Sequence, residues 1–236
     1  MYRNLEIDKI HATVEALTRR VEERFPGSGL AGVAGELIQV VDDTRRRCAW
    51  IDEPKRWLRA LVAGVILLLL TSLVATFLSF GVTTASTTLA ELIQVTEAGI
   101  NDLVLIGIAI AFLVSIEGRV KRRHALAGIS QLRALAHVID MHQLTKDPER
   151  LDRRGADPAS SPKQDLTPFE LVRYLDYCSE MLSLVAKAAA IYSQHLDDPV
   201  VLTGVTNIEH LATNLSHKIW QKIGMVEAFR NPTHSA

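Results

Sequence analysis

The chain has 236 residues, 48% hydrophobic and 22% charged, with 26 Lys and Arg against 27 Asp and Glu. A formal net charge of −1 excludes recruitment of polyanions by bulk charge, and two cysteines exclude a disulfide framework. So large an apolar share beside so many charges means that the apolar residues are concentrated locally.

Residues 1–57 carry two helical patterns. Ile7, Ile10, Val14, Leu17 and Val21 recur at spacings of three and four, which predicts one apolar helix face ending near Arg24. The chain turns at FPGSG, and Leu30, Val33, Leu37 and Val41 continue the pattern toward Arg45, Arg46 and Arg47, so residues 5–48 read as a helical hairpin. Ten basic and ten acidic side chains stand between Met1 and Trp57, which leaves this arm no net charge for nucleic acid.

From Ala60 to Phe80 there is no ionisable group. At 1.5 Å per residue such a helix covers roughly 30 Å, the thickness of the hydrocarbon layer, so residues 58–80 are predicted to span a membrane. The run lies too deep in the chain for a cleaved leader and reads as a retained anchor. Gly81 to Asp102 contains no Lys or Arg and is too short for a folded outer domain. Within it Leu89, Leu92, Ile93 and Thr96 have the spacing of a short helix, which either lies at the outer surface or lengthens the next span. The second apolar run, Leu103 to Ile116, is short by itself and reaches membrane length as residues 98–118, with Asn101, Asp102 and Glu117 at its two ends.

Cations fix the orientation. Arg45, Arg46, Arg47, Lys55, Arg56 and Arg59 precede the first span, and Arg119, Lys121, Arg122 and Arg123 follow the second, so both flanking arms are expected in the cytoplasm, with the spans in a bacterial inner membrane. The cluster after the second span reads as a stop signal and lipid-headgroup anchor; a site for anionic lipid or phosphoinositide-like ligands would use the same residues. Trp50 and Trp57 stand where interfacial aromatics would be useful.

Leu126, Ile129, Leu132, Leu135 and Ile139 continue a helical period, so residues 119–145 are expected to prolong the second span as a rod. Residues 146–166, rich in Pro, charge and small polar side chains, read as a flexible linker. Order restarts at Thr167, Pro168 and Glu170, which have capping-box spacing with proline directly after the cap. Leu171, Leu175, Cys178, Leu182, Val185, Ala189, Tyr192 and Leu196 then hold a 4-3 seam for about four heptads, as in a coiled coil. Asp198 before Pro199 repeats the cap-and-proline start, and Val201, Val205, Ile208, Ala212, Leu215 and Ile219 carry a second seam, with Leu211 and Trp220 widening the face. Residues 167–230 are therefore a predicted helical hairpin that needs further helices to bury both seams.

Chemistry-bearing motifs are few. Gly27, Gly29 and Gly32 form G-x-G-x-x-G with Asp52 twenty residues on, but dinucleotide binding needs those glycines between a strand and a helix, and here helical sequence precedes them. They read as a turn that lets two helices approach. His137, Asp140 and His142, with His124 upstream, offer only one helical i, i+3 pair, so they read as solvent-facing or interhelical histidines and not as a metal site. Cys48 and Cys178 read as reduced thiols. No nucleophile motif, phosphate loop or metalloprotease pair is present, and the chain reads as a non-enzyme with no catalytic residue, cofactor or metal.

In the first span Gly64, Leu68, Ser72, Ala75 and Ser79 share a stripe with Thr71 and Thr76 beside it; in the second, Gly107, Ala111, Ser115 and Gly118 form a small-residue ladder. Such ladders let spans pack closely, and two spans alone cannot enclose a pathway. In a homo-oligomer Ser72, Thr76 and Ser79, or the ladder of Gly107, Ala111 and Ser115, would face a lumen, with Asn101 and Asp102 ringing the outer mouth and Glu117 the inner one. Carboxylate rings favour cations. Alternatively the hydroxyls bond within their own helices and the small residues only pack the hairpin.

The layout, two spans with helical cytoplasmic arms, is similar to the two-span effector modules of bacterial nucleotide-signalling defence systems and also looks like many membrane scaffolds; the likeness is one of architecture and covers no residue pattern. The expected object is all-α: a two-span transmembrane hairpin whose N- and C-terminal cytoplasmic hairpins form a bundle. Two functions follow from it. One is a homo-oligomeric ion channel or membrane effector gated by that bundle; the other is a membrane-anchored scaffold that recruits a cytosolic protein partner through its C-terminal hairpin, and neither involves nucleic acid.

Overall fold

A computed structural model describes residues 4–54, 56–81, 89–148, 160 and 166–230. The described residues form six helices and no strands: α1 (Ile7–Arg24), α2 (Gly29–Asp52), α3 (Arg56–Gly81), α4 (Leu89–Leu144), α5 (Pro168–His195) and α6 (Pro199–Arg230). They fall into two compact units. One comprises residues 1–52 and 122–236, the other residues 53–121.

Local chemistry explains the helix boundaries in the larger unit. The α1 helix stops at Phe25, whose N–H still donates to the Val21 carbonyl, and Gly27 supplies the turn at φ +64°, where a side chain would be strained. Ser28 then caps α2, its hydroxyl accepting from the Ala31 N–H at 3.2 Å. At α5 the capping box is complete: the Thr167 hydroxyl accepts from the Glu170 N–H, and the Glu170 carboxylate accepts from the Thr167 N–H at 2.8 Å, with Pro168 directly after the cap. The Thr167 hydroxyl also donates to the Glu170 carboxylate at 2.7 Å, and that bond, followed by the one from the Thr167 N–H, holds the Glu170 carboxyl below its usual range. Asp198 opens α6 in the same way, its carboxylate accepting from the Val200 and Val201 amides at 3.0 and 3.2 Å.

The core forms where the predicted faces meet. Ile10, Val14, Leu17 and Val21 of α1 and Leu30, Val33, Leu37 and Val41 of α2 are buried together, as are the α5 seam from Leu171 to Tyr192 and the α6 seam from Val201 to Ile219. The α4 helix adds Ile129, Leu132, Leu135 and Ile139. This answers the shortage noted for the α5–α6 hairpin, since α1, α2 and the later part of α4 all cover α5. Phe25 closes one end edge-on to Tyr174 and Tyr177, with centroids 5.5 and 6.3 Å away.

In the smaller unit α3 occupies the first apolar run. The second run belongs to α4, which starts at Leu89, so the stretch containing Leu92, Ile93 and Thr96 is helical and continuous with it. Of the expected linker, residues 149–159 and 161–165 lie outside the described residues.

Candidate functional site

Two regions hold the residues singled out by sequence, and the smaller unit contains most of them. Among the described residues one helical segment, Gly99–Leu144, is long and apolar enough to cross a membrane, and none of its most apolar stretch is buried. Leu103, Leu105 and Ile108 are 62%, 65% and 63% exposed, and Leu61, Leu67, Leu68 and Val74 on α3 are comparably open. Seven side chains a little over half exposed would forgo about 1–2 kcal/mol each relative to full burial, on the order of 10 kcal/mol together. An exposed apolar surface of that kind is the sort that marks contact sites.

Asn101, Gly107 and Ala111 lie on the exposed surface of α4. Ser115 donates to the Phe112 carbonyl at 2.7 Å, so its hydroxyl is satisfied within its own helix. At about 100° per residue, Gly107, Ala111, Ser115 and Gly118 share an arc of roughly 80°, with Asn101 near its edge. Glu117 lies roughly 80° beyond the nearest member of that ladder, so the ladder and the carboxylate do not share one face. Glu117 pairs with Lys121 at 3.1 Å, and Arg119 lies over the Phe112 ring at 5.4 Å. The side chains of Ser72, Thr76, Ser79 and Asp102 lie outside the described residues.

The larger unit grips the later part of α4 at several points, and sequence alone indicated few of them. Arg122 is tied within the larger unit: its guanidinium donates from Nε to Asp198 at 2.7 Å, with a second nitrogen at 2.6 Å. One carboxylate thus caps α6 and ties α6 to α4. Burial works to raise the Asp198 carboxyl, but the bonds from Arg122, Val201 and Val200 outweigh it and hold the group below its usual range. Arg123 is exposed. The Trp50 ring lies 4.4 Å from that of His124, joining α2 to α4. Nearby, His195 contacts Asp52 at 2.8 Å, joining the ends of α5 and α2.

Close packing continues along α4. A Cβ at Gly128 would lie 1.9 Å from the Tyr192 hydroxyl oxygen, and one at Gly204 would lie 3.3 Å from Ile129. At the far end Lys222 of α6 donates to the carbonyls of Gln143 and Lys146 at 2.8 and 3.1 Å, occupying acceptors that the end of α4 leaves open. His142 faces the Tyr174 hydroxyl at 3.4 Å and sits against Gly29, where a Cβ would meet its ring at 2.6 Å. The middle glycine of the G-x-G-x-x-G turn therefore serves a close approach between α2 and α4.

The histidine motif is dispersed by these contacts. His137 is exposed and Asp140 accepts from Gln143 at 2.7 Å; among the described residues no three His, Cys, Asp or Glu side chains are placed to hold a metal ion. Cys48 and Cys178 are buried free thiols, both pushed up to about 12 by burial, which keeps them protonated and poorly nucleophilic. Arg122–Asp198 and His195–Asp52 were missed in the sequence because Asp198 already had a reading as a cap and Asp52 was weighed only as the acidic residue after the glycine motif; charge spacing carries no signal across such separations. The chain matches no family model, no curated protein and no solved structure.

Proposed function

We propose that the chain is a two-span integral membrane protein that assembles as a homo-oligomer through its spans, with both flanking arms in the cytoplasm. In this reading it works as an ion channel or membrane effector, and the cytoplasmic bundle sets the state of the spans. What supports it most is the run from Leu103 to Ile116: it is helical, Leu103, Val104, Leu105, Ile108 and Phe112 are more than half exposed, and it is followed by Arg119, Lys121, Arg122 and Arg123. Lipid is the surrounding that satisfies such a surface without a further partner. The grip of α2, α5 and α6 on the later part of α4 gives the bundle a physical handle on a helix that also carries the second apolar run.

Flux and subunit number test the channel. Purified protein in liposomes should pass ions, with selectivity shifted by Asp102→Asn or Glu117→Gln, and its native mass in detergent should correspond to a tetramer or larger ring. A monomer or dimer without flux would overturn it, because two or four helices leave little lumen. The scaffold reading is favoured by a separate observation, an open cleft along α5.

A further inference from the structure

Four helices pack around α5. The α1, α2 and α6 helices bury its seam, and α4 meets it at Tyr192 and Tyr174. The side of α5 between α1 and α6 has no helix against it among the described residues. Instead there is a cleft of about 930 Å³, walled by Leu5, Lys9 and Thr13 on one side and Trp220 on the other. It adjoins a second hollow of about 480 Å³, with which it shares Leu5, Ser183, Lys187 and Trp220.

The floor has the composition of a helix seat. Ser179, Ser183, Ala186 and Ala190 recur on α5 at spacings of 4, 3 and 4, the same period as the buried seam, from which they lie about 100° around the helix. Small side chains in a row let another helix approach closely, and the apolar wall is in place: Trp220 is 60% exposed and Leu5 is 41% exposed. From Asp176 to Ala190 the floor runs about 20 Å, the length of a helix of about 14 residues.

Charge gives the seat a direction. At its Asp176 end, Glu180 and Glu227 both stand within electrostatic reach of Asp176, opposed by Arg173 at 3.3 Å from Asp176 and Arg20 at 2.8 Å from Glu180. Burial, and then Glu180 and Glu227, outweigh Arg173 and leave the Asp176 carboxyl above its ordinary range. Three carboxylates against two guanidiniums call for a further cation. Toward the other end Lys187 donates to Ser183 at 2.5 Å, with Glu209 and His217 beyond it.

We infer that this cleft is the docking seat for an amphipathic helix of a protein partner, about 14 residues long, with an apolar 3-4 seam against the small residues of α5 and Lys or Arg at the end beside Asp176 and Glu180. A second copy of this chain presenting the same face would set one hollow against another and leave both unfilled, whereas a convex helix fills the space. The inference rests on the partner-recruiting reading of the C-terminal hairpin and is independent of ion conduction.

The test uses the full chain in detergent and three fluorescently labelled 16-residue helical peptides. One has a Leu seam and two Lys at one end, the second has Glu in place of those Lys, and the third has the seam scrambled. Anisotropy should show saturable binding of the Lys-ended peptide, at least about tenfold tighter than the Glu-ended one, and none of the scrambled one. Ser183→Trp, which fills the floor, should abolish binding. Trp220→Ala, which removes a wall without loading the core, should weaken it about tenfold, and Asp176→Lys with Glu180→Lys should invert the preference between the first two peptides. Absence of binding by all three peptides, equal affinity for both charge forms, or binding unaffected by Ser183→Trp and Trp220→Ala would each overturn the inference. So would a fall in native mass caused by Ser183→Trp, which would assign the seat to a second copy. Flux measured on the same variants separates this outcome from failure of the channel, since a channel without a helix seat still conducts.

Discussion

Replacing Gly128 with alanine probes how tightly α4 is held. In a helix interior the change by itself favours folding by about 1 kcal/mol. Here the new Cβ would lie 1.9 Å from the Tyr192 hydroxyl oxygen and 2.6 Å from the ring carbon bearing it. Ordinary contact requires about 3.5 Å, so the ring must retreat by well over 1 Å. Tyr192 is fully buried, so its ring can move only by displacing its neighbours, which places the cost in the upper part of the 1–3 kcal/mol range for overpacking. The net expectation is a loss of about 1–2 kcal/mol. Gly224→Ala in α6 is the control, because a Cβ there meets nothing within 4 Å, and it should stabilise by about 0.5–1 kcal/mol. Denaturant unfolding followed by near-ultraviolet circular dichroism, which reads the packed tyrosines, should therefore move the two variants in opposite directions. Tyr192→Leu should remove most of the Gly128→Ala penalty in a double-mutant cycle. If Gly128→Ala stabilised the protein as much as Gly224→Ala does, the close approach of α4 to α5 would be wrong.

Three further outcomes follow. Asp198→Ala should cost about 1–2 kcal/mol as a lost helix cap, and Arg122→Gln less, about 0.5–1 kcal/mol after allowance for the exposed side of the guanidinium; thermal unfolding checks both. Because the folded Asp198 carboxyl sits below its ordinary range, its contribution is present above the usual carboxylate pKa and is lost as pH falls through the folded value, so wild type should lose stability in acid faster than Asp198→Asn does. The Cys48 and Cys178 thiols, raised to about 12 by burial, should resist maleimide in the folded protein at pH 8 and react once denaturant is added; their contribution to stability is fully present below the ordinary thiol pKa and is lost as pH rises toward 12.

Helix positions and inward faces were legible because burial repeats with the helical period. The seams from Ile10 to Val21, Leu171 to Tyr192 and Val201 to Ile219 all follow from that one rule. Capping was equally local: Thr167, Pro168 and Glu170 announce the start of α5 within four residues. Contacts made at long range were not legible. Nothing near Arg122 in the sequence points to Asp198, and nothing near Gly128 points to Tyr192, because those pairings depend on how helices are stacked and not on their periods. The cleft was hidden for a related reason. Ser179, Ser183, Ala186 and Ala190 are too small to register as an apolar stripe, and their significance appears only once α1 and α6 are seen to flank them. Trp220 was assigned to a widened core face, whereas 60% exposure makes it a wall of the cleft.

The central claim is the membrane hairpin, and side-directed labelling tests it most directly. The native cysteines are buried and stay silent in the folded protein, so a single added cysteine reports its own side of the membrane. With an impermeant maleimide on intact spheroplasts, Thr87→Cys in the short connection should be labelled, while Asn4→Cys and Arg230→Cys should be labelled only after the membrane is opened. Labelling of the Asn4 or Arg230 site from outside, or equal labelling of all three, would contradict the hairpin and with it the proposed function.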